Sequence, residues 1–269
     1  MRKLGVHTSI AGGLWRALER AHALGCTTLQ IFSHNPRGWA LSDIPEAEAR
    51  RFRQLREKLG LDPVFIHASY LINPASAEAA LRERSIRMLS EELRRADMLG
   101  ADFVIVHAGP RGDSDDGQLI RSLRKVLPEG RKKFRAGLLL ENAASREPAS
   151  IATLAKAVQD SGAAGLCLDT CHAFVSGYDI RATAVLKGLA LQTEGIKVHL
   201  IHLNDSKGQV GSGLDRHEHL GKGRIGIDGL ARLVRFGSFR GLPLILETPK
   251  KFPGDDPMNL AAAKTLLSR

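Results

Sequence analysis

Short runs of apolar residues recur along the whole chain, and polar stretches with helical spacing of their apolar positions separate them. Most of these runs are nearly continuous rather than alternating, which is typical of parallel strands that are covered on both faces. Eight such strands are predicted, at residues 3–8, 27–33, 63–68, 103–108, 137–142, 166–170, 198–204 and 243–248. The pattern therefore predicts a parallel sheet of eight strands.

The segments between the strands predict helices. In residues 13–24, the apolar side chains of Leu14, Leu18 and Ala21 lie three or four positions apart and so form one face. Gly100 follows the longest helical stretch and is expected to end that helix. Further helices are predicted at residues 45–59, 77–99, 117–127, 148–160, 180–192, 229–236 and 257–267.

The alternation of strands and helices continues without a linker or a change of composition. It predicts one (β/α)8 barrel of the α/β class, a TIM barrel, that spans residues 1–269 as a single domain. An open, doubly wound sheet is the alternative. That alternative is less favoured, because no glycine-rich phosphate-binding loop follows an early strand.

Potential metal ligands follow the predicted strands at their carboxyl ends. In a TIM barrel these ends form one rim, and the active site lies there. Six successive strands end in such a residue, and the neighbouring loops add further imidazole and carboxylate groups. The nine candidates are His67, His107, Glu141, Asp169, His172, His202, Asp215, His217 and Glu247.

The set as a whole is more informative than any one of its members. A single histidine at the end of a strand is most often a structural residue that forms a hydrogen bond. A carboxylate after an apolar run is rarer, because burying it is costly unless a cation compensates its charge. Four carboxylates and five imidazoles at one rim therefore predict bound metal ions.

Imidazole and carboxylate ligands without thiolates suit Zn²⁺, with Mn²⁺ or Fe²⁺ as substitutes, better than Mg²⁺ or Ca²⁺. If Glu141 bridges two ions, the nine side chains form enough bonds for three ions. Such a cluster keeps open coordination positions and a positive field, which is what hydrolysis of a phosphodiester requires.

The charge of the chain agrees with a polyanionic partner. Lys and Arg number 39 against 29 Asp and Glu, a formal net charge of +10, and a basic surface favours nucleic acid.

The three cysteines form no disulfide framework, and Cys171 is expected to be a buried structural thiol. No apolar run has the length of a signal peptide or a membrane span, so a cytoplasmic protein without membrane contact is expected.

Several longer segments carry a resemblance to a known family. The segments are GVHTSIAGG, FIHASYLIN, VHAGP, LLEN, LDTCHAFVSGYD, HLNDSKGQVGSGLDRHEHLGKG and ILETPK, and together they span nearly the whole chain. They resemble the successive motifs of the endonuclease IV family of abasic-site endonucleases. LDTCHAF and DRHEHLG are specific motifs, whereas VHAGP and LLEN alone would be weak.

The resemblance implies three zinc ions. His67, His107 and Glu141 would hold the first, Glu141, Asp169, His202 and Glu247 the second, and His172, Asp215 and His217 the third. The implied substrate is duplex DNA with an abasic site, cut on the 5′ side to leave a 3′ hydroxyl and a 5′ deoxyribose phosphate. Trimming of damaged 3′ ends is implied as well, as is a monomer. Glu141 would orient the attacking hydroxide, and Glu247 would accept a proton.

The resemblance also implies contacts with DNA by Arg37, Tyr70 and Leu71, which follow the second and third strands. These side chains would enter the duplex at the lesion and replace the missing base stack. The alternative is a solvated charge for Arg37 and a hydrophobic loop anchor for the other two. Gly38 and Gly213 depart from the family pattern, since Gly213 stands where a basic residue is often found.

Two other functions compete with this interpretation. A sugar isomerase or epimerase on a related barrel also binds divalent metal at this rim, but its ligands are richer in carboxylates and its ions fewer. A DNA-binding protein without catalysis would keep the metal for stability, and its coordination would then be closed. Among the other histidines, His7 is not needed to complete the ligand set, and His34 is expected at the surface or at its boundary.

Overall fold

The computed structural model describes residues 2–108, 116–128, 133–146 and 149–268. Its main sheet has eight strands, and every hydrogen-bonded pair in it is parallel. The strands are β1 (Leu4–Val6), β2 (Leu29–Phe32), β3 (Val64–His67), β4 (Phe103–His107), β5 (Gly137–Glu141), β6 (Gly165–Asp169), β7 (Val198–His202) and β10 (Leu244–Leu246). A short antiparallel hairpin of β8 (Asp205–Ser206) and β9 (His217–Glu218) lies between β7 and β10 in the chain.

The sheet closes on itself. Its strand order is β1-β10-β7-β6-β5-β4-β3-β2, and a parallel bridge between His7 and Gln30 joins the two ends. The Thr8 amide donates to the Gln30 carbonyl at 2.8 Å in this seam. The predicted TIM barrel is therefore confirmed, and each of the eight predicted strands corresponds to an observed one.

Helices cover the outside of the barrel. They are α1 (Leu14–Ala23), α2 (Glu46–Leu59), α3 (Ala79–Leu99), α4 (Asp116–Val126), α5 (Ile151–Ser161), α6 (Thr170–Val175), α7 (Thr183–Gln192), α8 (Gly226–Arg235) and α9 (Asp255–Ser268). Gly100 ends α3 with a left-handed φ of 66°, as its position predicted. Among the described helices, none is long and apolar enough to cross a membrane.

The short helix α6 and the β8–β9 hairpin were not predicted from the sequence. The helix begins directly after β6, where the Asp169 side chain accepts a hydrogen bond from the His172 amide at 2.7 Å and caps it. Two predictions also extend beyond the described residues: Gly109 and Pro110 of the motif VHAGP, and Pro148 at the start of the helix predicted at 148–160.

A layer of six apolar side chains fills the interior of the barrel, one each from β3, β4, β5, β6, β7 and β10. They are Phe65, Ile105, Leu139, Cys167, Leu200 and Ile245, and each is at most 1% exposed. Each precedes a candidate metal ligand by two positions. Since side chains alternate along a strand, a residue two positions later points to the same face. The ligands therefore form the next layer of the interior, toward the carboxyl ends.

Candidate metal centre

Glu141, at the end of β5, is the residue around which the site is built. Its side chain is fully buried. Its carboxylate oxygens lie 2.8 Å from Nδ1 of His202, 3.2 Å from Nε2 of His67 and 3.5 Å from Nε2 of His107. Nδ1 of His172 lies at 3.4 Å. One carboxylate thus faces four imidazoles, as a bridging ligand would.

The nine candidate side chains lie together in three groups, two of which share a residue. In each group the potential ligand atoms are within 4.8 Å of one another. The groups are His67, His107 and Glu141; Glu141, Asp169, His202 and Glu247; and His172, Asp215 and His217. This is the same division that the family resemblance implies, with Glu141 shared between the first two groups.

Two other groupings include a thiol, from Cys167 beside Glu141 and His202 and from Cys171 beside Asp169 and His217. Burial raises the pKa of each thiol to about 12. Both thiols therefore keep their protons at neutral pH, and thiolate is the form that binds metal. The carboxylate and imidazole groups are the stronger candidates.

Hydrogen bonds to backbone carbonyls orient three of the imidazoles. Nδ1 of His67 lies 2.7 Å from the carbonyl of the next residue, Nδ1 of His172 lies 3.0 Å from that of Asn142, and Nδ1 of His217 lies 3.0 Å from that of Glu247. A carbonyl only accepts, so each Nδ1 carries a hydrogen. Nε2 is then left to face the centre. In metal-binding histidines, a hydrogen bond from the other ring nitrogen commonly fixes the tautomer and the orientation of the ring in this way.

The third group brings two ring nitrogens into a contact that requires a proton or a cation between them. Nε2 of His172 and Nε2 of His217 lie 3.4 Å apart, and each already donates through Nδ1. Two lone pairs would repel at this distance unless a proton or a cation lay between them. Asp215 adds a carboxylate oxygen at 3.3 Å from His172 and 3.6 Å from His217. A divalent ion fits this set of donors, and a proton serves the same purpose in its absence.

The protonation of the metal-free site is unusual. The pKa values of the His172 and His202 imidazoles lie well above the usual range, because neighbouring acidic groups outweigh the effect of burial, so binding a metal there would release a proton. Burial favours the neutral form of Glu141, but the surrounding imidazoles of His107, His202 and His172 together outweigh it, so the pKa of this carboxyl lies well below its usual range. Burial lowers the pKa of the His107 imidazole to about 4. Burial raises the pKa of Asp169 despite the nearby imidazoles, so this carboxylate gains most from a cation.

Gln30 and Asn204 are supporting residues that the sequence analysis missed. The Gln30 amide nitrogen donates to Glu247 at 2.6 Å, and its oxygen lies 2.7 Å from Nε2 of His202. Asn204 donates to Asp169 at 2.6 Å and accepts from the Glu247 amide at 2.9 Å. The sequence signal that could have indicated them is a polar amide side chain within an apolar strand, as for Gln30, or shortly after one, as for Asn204.

His7 lies beside the second group without belonging to any of the three. Its Nδ1 is 2.9 Å from the Gln30 amide nitrogen and 3.6 Å from a Glu247 oxygen. Burial lowers the pKa of its imidazole, and Glu247 only partly offsets that effect. The ligand set is thus assembled without His7, as the sequence analysis assumed.

The three residues expected to contact DNA lie at the same rim. Tyr70 is 61% exposed and lines a cavity of about 740 Å³ together with His67, His107, His172, Asp215, His217 and Glu247. Its ring centre lies 6.0 Å from that of His67. Arg37 is exposed and Leu71 half-buried on the neighbouring loops. These positions are compatible with contact to a bound duplex.

The two departures from the family pattern have different surroundings. Space is open around Gly38, because a Cβ atom there would meet nothing within 4 Å. Gly213 has a left-handed φ of +67°, and a Cβ atom there would lie 2.9 Å from the Arg146 backbone nitrogen. A larger residue at 213 would therefore be strained. The exposed Arg146 side chain occupies the adjoining space and supplies a basic group beside it.

Comparison with known proteins agrees with this geometry. A family described as xylose isomerase-like TIM barrel matches residues 18–266. A curated relative from Methanoculleus marisnigri, described as "Probable endonuclease 4", is 39% identical over 98% of both chains. One from Halothermothrix orenii with the same description is 37% identical over 94% of this chain and 95% of the relative. The crystal structure of endonuclease IV from Thermus thermophilus is 38% identical, covers 99% of both chains and superposes with a TM-score of 0.89.

The fold and the metal-binding rim define a protein of the xylose isomerase-like TIM barrel class. Within that class, the full-length identity to the curated relatives shows that this chain belongs to the endonuclease 4 family, also written endonuclease IV. The resemblance seen in the sequence motifs is therefore confirmed. The barrel of a 3-keto-D-glucoside 4-epimerase from E. coli superposes with a TM-score of 0.71 at 13% identity. That likeness concerns the fold alone.

Proposed function

We propose that this protein is a metal-dependent endonuclease that hydrolyses the phosphodiester 5′ to abasic sites in duplex DNA. The products would be a 3′ hydroxyl and a 5′ deoxyribose phosphate, and the same site would trim damaged 3′ ends. One observation carries the proposal: nine imidazole and carboxylate side chains meet in three groups around Glu141. They do so in a chain whose curated relatives are described as endonuclease 4.

We propose three Zn²⁺ ions as the cofactor, with Mn²⁺ or Fe²⁺ as substitutes. Each of the three groups would hold one ion, because each offers the imidazole and carboxylate donors that zinc accepts. When bound, the ions supply Lewis acids that polarise the phosphodiester and make water a stronger acid. The close approach of His172 and His217 nitrogens at 3.4 Å supports a cation in the third group.

The protein's own residues would then hold and orient the reacting groups. Glu141 is ionised and buried, so its carboxylate can orient a water molecule for attack on the phosphorus. The pKa of Glu247 also lies well below its usual range, because His202 and His7 outweigh the effect of burial. Glu247 is hydrogen-bonded to Gln30 and is the group to which we assign acceptance of a proton.

The cavity above the metal groups is the proposed seat of the lesion. Arg37, Tyr70 and Leu71 would enter the duplex and fill the gap in the base stack, and part of the Arg37 contribution would be attraction to phosphate. The formal net charge of +10 favours such a polyanionic partner. We further propose that the whole barrel acts as one domain and as a monomer; the support for the monomer is the family resemblance.

A cleavage assay tests the proposal. A labelled duplex with one synthetic abasic site is incubated with the zinc-loaded protein, and an undamaged duplex of the same sequence serves as the control. We expect a single cut on the 5′ side of the lesion, whose 3′ end a polymerase extends without further treatment. Glu141→Gln should cut this duplex far more slowly. Cleavage at random positions, or none with the metals loaded, would overturn the proposal.

A further inference from the structure

Helix α3 contains two buried charged residues that are not among the candidate metal ligands. Glu92 is fully buried and Arg95 is 2% exposed. They face two rim loops, residues 33–45 between β2 and α2 and residues 68–78 between β3 and α3. These are the loops that contain Arg37 and Tyr70.

The Glu92 carboxylate binds to both loops at once. One oxygen accepts a hydrogen bond from the Ser33 hydroxyl at 2.7 Å. The other accepts from Nε2 of His34 at 2.9 Å and faces the Ser69 amide at 3.3 Å. His34 is only 6% exposed, so the expectation that it lies at the surface or its boundary is wrong.

Arg95 fixes the same loop at two points. Its Nε donates to the Ser33 hydroxyl at 2.8 Å, and a terminal nitrogen donates to the Ser33 carbonyl at 2.6 Å. The other terminal nitrogen donates to the Ser42 carbonyl at 2.8 Å. Arg37 therefore lies on a stretch of chain that is held on both sides of it.

A direct bond joins the two loops. The Ser69 hydroxyl donates to the Pro36 carbonyl at 2.7 Å and accepts from the Leu71 amide at 3.2 Å. Pro36 and Leu71 are the immediate neighbours of Arg37 and Tyr70. The relative position of the two exposed side chains is thus set by hydrogen bonds beneath them.

Helix packing alone does not account for this arrangement. Burying a carboxylate and a guanidinium costs several kcal/mol, and apolar residues of similar volume often pack as well. A fully satisfied polar network instead fixes one geometry. A binding surface whose loops are already ordered loses less conformational entropy when its partner binds.

We propose that Glu92 and Arg95 are positioning residues for lesion recognition. Acting through Ser33, His34 and Ser69, they hold Arg37 and Tyr70 in the relative geometry that binds an abasic duplex. The inference rests on the proposed function, because it assumes that these two loops contact DNA.

Binding titrations of Glu92→Gln test the inference. The variant keeps the shape of the side chain but loses the negative charge that accepts from both loops. Dissociation constants are measured for abasic and undamaged duplexes, together with zinc content and melting temperature. We expect the dissociation constant for the abasic duplex to rise roughly tenfold, as loss of a charged hydrogen bond would produce. The dissociation constant for the undamaged duplex and the zinc content should each change less than twofold.

Glu91→Gln is the matched control, because Glu91 pairs with Arg94 on the same helix outside the network. This variant should bind both duplexes as the wild type does.

A double-mutant cycle with Tyr70→Ala separates positioning from a general loss of stability. If Glu92 acts through the Tyr70 loop, the double variant should lose clearly less lesion affinity than the two single losses combined. Purely additive losses, or equal losses on both duplexes, would overturn the inference. Should Glu92→Gln not fold, Ser69→Ala breaks the bond between the loops and must show the same selective loss.

Different results would contradict the proposed function and the positioning role of Glu92 and Arg95. A wild-type protein that binds both duplexes equally would contradict the proposed function itself. A wild-type protein that prefers the lesion and loses this preference in Tyr70→Ala, but keeps it in Glu92→Gln and Ser69→Ala, would contradict the positioning role alone.

Discussion

The amide of Gln30 offers a sharp test of how the metal site is held. Gln30 is fully buried in β2, a strand that supplies none of the nine candidate ligands. Its amide nitrogen donates to Glu247 at 2.6 Å and lies 2.9 Å from Nδ1 of His7. Its oxygen lies 2.7 Å from Nε2 of His202 and so accepts the hydrogen of that nitrogen. Nδ1 of His202 is thereby turned toward Glu141.

Replacing Gln30 by leucine removes these contacts and keeps a side chain of similar size. Nε2 of His202 becomes a buried donor without an acceptor, which should lower the free energy of unfolding of the metal-free protein by about 1–3 kcal/mol. The imidazole also loses the bond that fixes its orientation. Loss of such an outer partner typically weakens metal binding roughly 10- to 100-fold, which corresponds to about 1.4–2.7 kcal/mol. The zinc affinity should fall at the group formed by Glu141, Asp169, His202 and Glu247.

Competition with a chromophoric zinc chelator measures this affinity, and thermal unfolding of the metal-free protein measures stability. Thr28→Val is the matched control: Thr28 is equally buried two positions earlier, where its hydroxyl donates to the Pro63 carbonyl. That variant should lose stability but bind zinc as wild type. If Gln30→Leu is folded and releases zinc no more easily than Thr28→Val, the orienting role of Gln30 is wrong.

Four further outcomes are expected. Elemental analysis of the purified protein should find about three divalent ions per chain; one ion at most, with full activity, would contradict the cluster. Glu141→Gln should fold but cut abasic duplex roughly 100- to 1000-fold more slowly; cleavage within a few-fold of wild type would remove Glu141 from the bridging position. Tyr70→Ala and Leu71→Ala should weaken binding to abasic duplex by about one to two orders of magnitude, since stacking on a base contributes roughly 1–3 kcal/mol. The metal content should stay unchanged. An equal loss of affinity for undamaged duplex would mean that these residues only support the packing of their loop. Arg37→Ala should weaken binding to both duplexes and reduce its dependence on salt.

Much of the site could be predicted from the sequence because strand alternation is a local property. Ligands such as His67 and Glu141 stand two positions after apolar residues that fill the barrel, and each follows a recognisable strand. The carboxyl ends of parallel strands meet at one rim whatever the details of packing. The sequence by itself therefore determined the barrel, the rim and the candidate ligands on its strands.

The hydrophobic pattern left open how those groups are combined; the family resemblance implied a division, and the tertiary structure shows the contacts that produce it. Glu141 faces four imidazoles because the curvature of the sheet turns the inward side chains of β3, β4, β5 and β7, and one from α6, toward the same point. The third group depends on α6 and on the β8–β9 hairpin, two elements too short to leave a periodic pattern. Gln30 contacts His202 across 172 positions, and Glu92 reaches Ser33 across 59. Contacts at such separations leave no local pattern in the sequence, since they depend on where the whole barrel brings each side chain.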